Sequence, residues 1–316
     1  MEKKYELTDE ILEVGGHVLH RIKALRDFGN VRKGDIGGWI EYEDNLSHDD
    51  DCWVYDNAKI YADAKIYADA EVYGNAEVFG EAKVYDDAEI YNKATVYGNA
   101  EVYGNAEVFG EAKIYADAKI YADAEVYGNA EVFGEAKVYD DAEIYNKATV
   151  YGNAEVYGNA EVFGEAKIYD DAEIYNKATV YGNAEVYDNA KVYVYARVYG
   201  NAKVYAYAEV LGEATVRDKA IIRDKATVCG DATVCGDATV CGEAVIKSKS
   251  DYIVFKNWWS SGRYFTWTRS NDMWSVGCFY GTGEELIKKA YNDSEEKGRE
   301  YERVVKYVES IKSEIK

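Results

Sequence analysis

The chain has 316 residues, of which 48% are hydrophobic, enough for a folded protein. Its net charge of -22 argues against direct binding to nucleic acid or docking on anionic lipid, and permits a cationic partner or mimicry of a polyanion. There is no proline, and five cysteines are too few and too oddly placed for a disulfide framework, which suggests a reducing compartment, the cytoplasm.

Residues 1–53 are non-repetitive and are expected to cap a repeat array that begins at Val54. They contain no apolar run of signal-peptide type, and no stretch of the chain is suited to span a membrane. Ile36 stands a whole number of hexads before Val54, and Ile40 and Leu46 stand likewise before Ala58, so the repeat register is expected to begin early.

Residues 54–250 form one array. From Val54 to Ile246 every sixth residue is Val or Ile, 33 positions without a miss. Ala follows four residues after each of the first 32, from Ala58 to Ala244, and Tyr or Phe one residue after each from Tyr55 to Tyr205. In a strand, Ala76 and Val78 share one face while Glu77 and Phe79 take the other. The next pair, Gly80 and Glu81, must turn the chain. Elsewhere that pair reads Gly-Asn, Asp-Asp, Asn-Lys or Ala-Asp, residue types suited to a tight corner. Each hexad is therefore a short strand plus a corner. One such strand buries nothing alone, so the chain must coil and stack, with the Val/Ile column inside.

Residues 61–114 recur letter for letter as residues 115–168. A catalytic site needs one set of unlike residues, whereas a structural or repeated binding surface tolerates such copying. Cys229, Cys235 and Cys241 sit at successive hexads; if three hexads make one turn, they face three different ways and cannot pair.

Residues 251–316 read as an α+β cap. Strands are expected at 252–255, 263–269 and 273–279, and helices over Glu284–Tyr291 and Glu295–Ile315. Trp258, Trp259, Trp267 and Trp274 are expected to form its core, with a partner-binding patch as the alternative.

The pairing of an aliphatic residue with a small one four later, as in Val72 and Ala76, resembles the hexapeptide-repeat family. That resemblance implies a left-handed parallel β-helix with three hexads per turn. The fold expected is thus an all-β solenoid of about eleven turns with an N-terminal cap and a small C-terminal α+β cap. The stretches 7–41 and 275–286 also resemble uncharacterised bacterial and phage proteins that carry arrays of the VYGNAEVYGNA type.

Many members of the hexapeptide-repeat family are acyl-CoA-dependent acyltransferases with a histidine base on the coil and a loop inserted between hexads. Here no histidine lies beyond His48, and the 33 hexads have no insertion. His17, His20 and His48 are the only histidines; His48, beside Asp49, Asp50 and Asp51, is the one candidate base. The same acidic loop offers cation ligands, but a solvated loop is the expectation. No catalytic residues, cofactor or metal are assigned.

Residues 18 apart should stack on one face. Glu71, Glu89, Glu107, Glu125, Glu143 and Glu161 then form an acidic column, whereas the other two columns mix Lys, Glu and Thr. Beside the acidic column stand Tyr73, Tyr91, Tyr127 and Tyr145, interrupted by Phe109. Stacked rings stabilise a flat sheet, and Tyr is also a frequent interface residue. These ten residues are the candidate surface for an unknown protein partner, with self-association as a further expectation. The function expected is a non-catalytic, rod-like structural or interaction protein. The rivals are an acyltransferase and an acidic mimic that occupies a nucleic-acid-binding protein.

Overall fold

The computed structural model describes residues 3–257 and 261–314 of the chain. The architecture is an all-β parallel solenoid followed by a small sheet with two helices. The coils are left-handed. The chain divides into two compact units, Met1–Lys177 and Ala178–Lys316.

In the first unit each hexad contributes a strand, mostly two residues long, such as Glu71–Val72, Glu77–Val78 and Lys83–Val84. Successive hexads enter three different sheets, so residues 18 apart become parallel neighbours: Glu89 pairs with Glu71 and Ile90 with Val72. The backbone of one coil bonds to the next, as in Tyr73 N–H to Ile90 O at 2.9 Å and Glu89 N–H to Ala106 O at 3.0 Å. The Val/Ile and Ala columns are sealed from solvent, with Val72, Ala76, Val78 and Ala82 all at 0% exposure. Burying each Val or Ile side chain contributes roughly 1.5–3 kcal/mol.

The corners need a left-handed residue. Asp56, Ala62 and Asn92 occupy that region at φ +53°, +57° and +61°, and Gly74 at +71°. Crowding there is severe: a Cβ on Gly74 would lie 3.0 Å from the backbone nitrogen of Asn92, one coil on. Small or short polar residues are therefore favoured at this position.

The N-terminal segment corrects the expected register. The strands β1 (Tyr5–Val14), β2 (His17–Ala24) and β3 (Ile36–Ile40) form an antiparallel meander. β3 then joins the first coil in parallel, with Ile40 beside Ile60, and Leu46 bridges to Ile66. Ile40 and Leu46 thus lie under the valine column rather than the alanine column, and Ile36 is 56% exposed. The reason is that Ser47–Cys52 makes a detour before the strict hexads start. Lys4, fully buried, holds that detour: its Nζ donates to the carbonyls of Asp49, Asp50 and Cys52 at 3.2, 3.3 and 2.9 Å.

The second unit is built of coils of the same kind, from Thr179–Val180 to Val245–Ile246, and these end under side chains rather than another strand. Tyr252 Oη donates to Thr233 O at 3.0 Å, Thr239 N–H donates to Thr266 Oγ1 at 2.9 Å, and Val245 N–H to Ser270 Oγ at 2.7 Å. One side chain thus blocks the exposed edge of each of the three sheets, which would otherwise template further pairing. Cys229 and Cys235 are half-buried and Cys241 is buried; all are free thiols.

Tyr252 and Thr266 belong to a four-stranded antiparallel sheet, Tyr252–Lys256, Tyr264–Thr268, Met273–Val276 and Phe279–Gly281, and Ser270 lies in the turn between its second and third strands. The expected single strand over 273–279 is split because Gly277, at φ +58°, turns the chain. Helices α1 (Gly283–Asp293) and α2 (Glu295–Ile311) pack on this sheet. Thr282 and Glu285 form a capping box at the start of α1, and Ser294 caps α2. Trp267 and Trp274 are cross-strand partners in the core, with Phe265, Leu286 and Val305. Trp258, Trp259 and Ile315 lie outside the described residues.

Ala118 is fully buried within the first unit. An Ala118→Leu variant is expected to lose about 1–3 kcal/mol through overpacking, measured as a lower urea midpoint.

Candidate functional site

The first unit carries one face unlike its other two. Strand pairing brings Glu71, Glu89, Glu107, Glu125, Glu143 and Glu161 into a single column, each beside the next across parallel strands. Each Glu precedes an inward Val or Ile and so points outward. The Tyr that follows that Val points outward too, two residues along.

The rings form a ladder. Centroids are 4.9 Å apart for Tyr73 and Tyr91, 4.8 Å for Tyr91 and Phe109, 4.8 Å for Phe109 and Tyr127, and 5.0 Å for Tyr127 and Tyr145. Interplanar angles in this run are at most 4°. The parallel register sets this spacing.

The ladder also supplies hydrogen bonds that sequence reasoning missed. Each phenol leans across to the carboxylate 16 residues on, on the next coil. Tyr55 donates to Glu71 at 2.9 Å, Tyr73 to Glu89 at 2.6 Å, Tyr91 to Glu107 at 2.7 Å, Tyr127 to Glu143 at 2.9 Å and Tyr145 to Glu161 at 3.3 Å. The signal was present as a recurrent Tyr-to-Glu spacing. It becomes readable only when the coil length is known to be 18 residues. Burial, then the neighbouring carboxylates, push these phenols upward: Tyr73, Tyr91 and Tyr127 lie well above the ordinary range, and Tyr145 reaches about 12.

Glu125 is the exception. The residue 16 before it is Phe109, which has no hydroxyl, and its carboxylate has no hydrogen bond among the described residues. Burial, followed by repulsion from Glu143 and Glu107, raises its pKa. The contrast is Glu101 on another face, where hydrogen bonds from Lys119 and Lys83 at 2.9 and 3.2 Å pull the carboxyl down.

The other two faces of this unit neutralise themselves. Lys59 pairs with Glu77 at 2.6 Å, Lys113 with Glu131 at 3.3 Å and Lys137 with Glu155 at 2.8 Å. None of the six glutamates in the acidic column has an ion pair among the described residues. That face therefore presents a regular row of uncompensated carboxylates beside half-buried phenols.

His48 lies elsewhere, in the N-terminal detour. Its ring stacks on Tyr5 at 4.3 Å, and its Nδ1 accepts the Lys4 N–H at 3.2 Å. Burial lowers its pKa, and its Nε2 is buried with no hydrogen-bond partner. Glu43 Oε2 lies 4.0 Å from that nitrogen. Beside it, Asp51 N–H donates to Asp69 Oδ1 at 3.1 Å, and the carbonyls of Asp49 and Asp50 face Lys4. Among the described residues no group of three or more His, Cys, Asp or Glu is placed to hold a metal ion, and no helix is long and apolar enough to cross a membrane.

The chain matches no protein-family model and no curated protein.

A Phe109→Tyr variant is expected to give Glu125 its missing donor, lower that carboxyl's pKa and add about 0.5–1.5 kcal/mol of stability, read by carboxyl NMR and thermal unfolding. Alkaline pH is expected to weaken the ladder. Tyr145 stays protonated in the folded state to about 12, while an unfolded tyrosine ionises near about 10. Its contribution is complete below pH ~10 and is lost as pH rises through ~12. Titrating phenolate absorbance together with circular dichroism is expected to show ionisation delayed beyond pH ~10 and accompanied by unfolding.

Proposed function

We propose that this protein is a non-catalytic structural or interaction protein that binds a basic partner through the Glu/Tyr face of its first unit. The observation that carries this reading is the contrast between faces. Two columns pair Lys with Glu, while six glutamates on the third have no cation among the described residues. Like charges about 5 Å apart repel by somewhat under ~1 kcal/mol in water, a cost that a cationic partner would relieve. The phenols beside them are rigid, amphipathic and already oriented by the stack. Letter-for-letter copying of this surface suits repeated contacts with an extended partner better than a single reaction centre.

Five free thiols support a reducing, cytoplasmic setting. The resemblance of residues 7–41 and 275–286 to bacterial and phage proteins supports an origin of that kind. The acidic row is also the chemistry a nucleic-acid mimic requires, and the partner would then be a nucleic-acid-binding protein. An acyltransferase draws less support, because the one candidate base, His48, has its free nitrogen buried.

The test is capture from bacterial lysate with wild type and with a Glu89→Gln, Glu107→Gln, Glu125→Gln, Glu143→Gln variant. A partner retained at low salt, released at high salt and lost with the variant is the expected result. Equal capture by both proteins would remove the acidic face as the binding surface. Identification of the captured protein separates a nucleic-acid-binding partner from other basic ones.

A further inference from the structure

The first unit contains the same three coils twice. Residues 61–114 and 115–168 are identical, and this block of 54 residues spans three turns of 18. The structure repeats the block contact for contact. Lys59 pairs with Glu77 at 2.6 Å and Lys113 with Glu131 at 3.3 Å. Lys83 pairs with Glu101 at 3.2 Å and Lys137 with Glu155 at 2.8 Å. Corner bonds recur as well: Asn99 donates to Asp117 at 2.9 Å and Asn153 to Asp171 at 3.0 Å. Gly104 N–H donates to Asp86 and Gly158 N–H to Asp140, both at 3.3 Å. The ring pairs Phe79–Tyr97 and Phe133–Tyr151 each stand 5.0 Å apart.

A block of this size can be taken out without a new kind of contact at the join. With residues 61–114 removed, Ile60 runs into Tyr115, and the N-terminal cap meets the residue types it met before. The Ala62 N–H donates to Glu41 Oε2 at 2.8 Å, and the carbonyls of Ala62 and Ala64 accept from Asn45 at 2.8 and 2.9 Å. Ala116 and Ala118 take these places. Tyr115 takes that of Tyr61, whose ring lies 5.1 Å from His17. Lys59 finds Glu131 in place of Glu77. Shorter cuts do not close in this way. Removal of one coil, 61–78, sets Lys59 beside Thr95, and removal of two, 61–96, sets it beside Lys113, a like charge. Three coils are the smallest step that restores this column.

We infer that the first unit is a spacer graduated in blocks of three coils. One block changes its length by about 14 Å. A coil interacts only with its neighbours above and below, so a block carries its own contacts with it. The same step changes the contacts offered to a partner: Glu71, Glu89 and Glu107 come from one block, and Glu125, Glu143 and Glu161 from the other. This second consequence rests on the acidic face as the binding surface; the graduated length does not. The join also leaves a signature. Tyr55, which donates to Glu71 at 2.9 Å, meets Glu125 in the shortened chain. Glu125 then gains the phenol that Phe109 withholds.

The test compares the full chain with a variant lacking residues 61–114 and with one carrying that block a third time. Both variants are expected to unfold cooperatively in urea, with an m-value below that of wild type for the short chain and above it for the long one. Carboxyl NMR of the short chain is expected to show Glu125 titrating lower than in wild type. The binding probe is an oligolysine peptide of about twenty residues, long enough to lie along both blocks. By fluorescence anisotropy at low salt it should bind the short chain about tenfold more weakly than wild type, and the long chain about tenfold more tightly. Loss of cooperative unfolding in both variants, or a Glu125 carboxyl that still titrates as in wild type, would overturn the graduated spacer. Equal affinity at all three lengths would overturn the step in contacts. Unchanged binding by a full-length Glu89→Gln, Glu107→Gln, Glu125→Gln, Glu143→Gln variant would instead remove the acidic face as the binding surface, and the unfolding and Glu125 readouts would still decide the spacer.

Discussion

Everything in the two units rests on the backbone ladder that joins each coil to the one above it. A residue's N–H bonds to a carbonyl one coil further along, as Glu89 does to Ala106 and Lys137 does to Ala154. Within a coil only corner groups are satisfied, as Ala58 N–H is by Tyr55 O at 3.1 Å, so the hexad has no stability by itself. The ladder imposes one rule on every side chain: its nearest neighbours are the residues 18 before and after it. Inside, the rule stacks Val on Val and leaves room only for Ala at the narrow positions. Outside, it converts a copied sequence into columns of like groups.

Columns of like groups have opposite consequences for rings and for charges. Identical flat rings at 4.7–5.0 Å attract one another, which is why a tyrosine ladder is a stable surface. Identical charges at the same repeat repel. The faces manage this repulsion in two ways. Two of them mix Lys, Glu and Thr, so that Glu101 sits between Lys83 and Lys119. The third keeps its carboxylates and hydrogen-bonds them through the adjacent phenols. Tyrosine there serves both columns at once, since its ring supports the stack and its hydroxyl serves the acid. Glu125 shows the dependence by default, because Phe109 keeps the stack but withholds the hydroxyl.

The ends and the corners are where the regular pattern is broken. Lys4 fills a buried position beneath a detour with a cation bonded to three carbonyls. At the other end Tyr252, Thr266 and Ser270 stop the three sheets with side chains that satisfy a single backbone group each. These devices end the ladder without extending it. Val194 breaks the rule of small corner residues in the opposite sense, since it adds strain where Gly212 and Gly230 have none.

The period of the chain by itself determined a great deal. Val at every sixth residue with Ala four later admits a stacked solenoid and little else, because only stacking gives so short a strand a buried face. The columns, including Glu71 to Glu161, followed from that period together with the three hexads per turn that the family resemblance implies, and Trp267 and Trp274 were legible as core residues. The start of the register was not. Ile36, Ile40 and Leu46 are in phase with the array by counting, yet the detour at Ser47–Cys52 shifts Ile40 and Leu46 by one column and leaves Ile36 in solvent. Counting cannot see a detour, since its cost and its support come from residues distant in the chain, Lys4 above all. The hydrogen bonds from Tyr to Glu were likewise decided by tertiary structure. They depend on how far a ring leans from its own strand toward the next coil, a distance set by the parallel register and by packing, not by the order of letters.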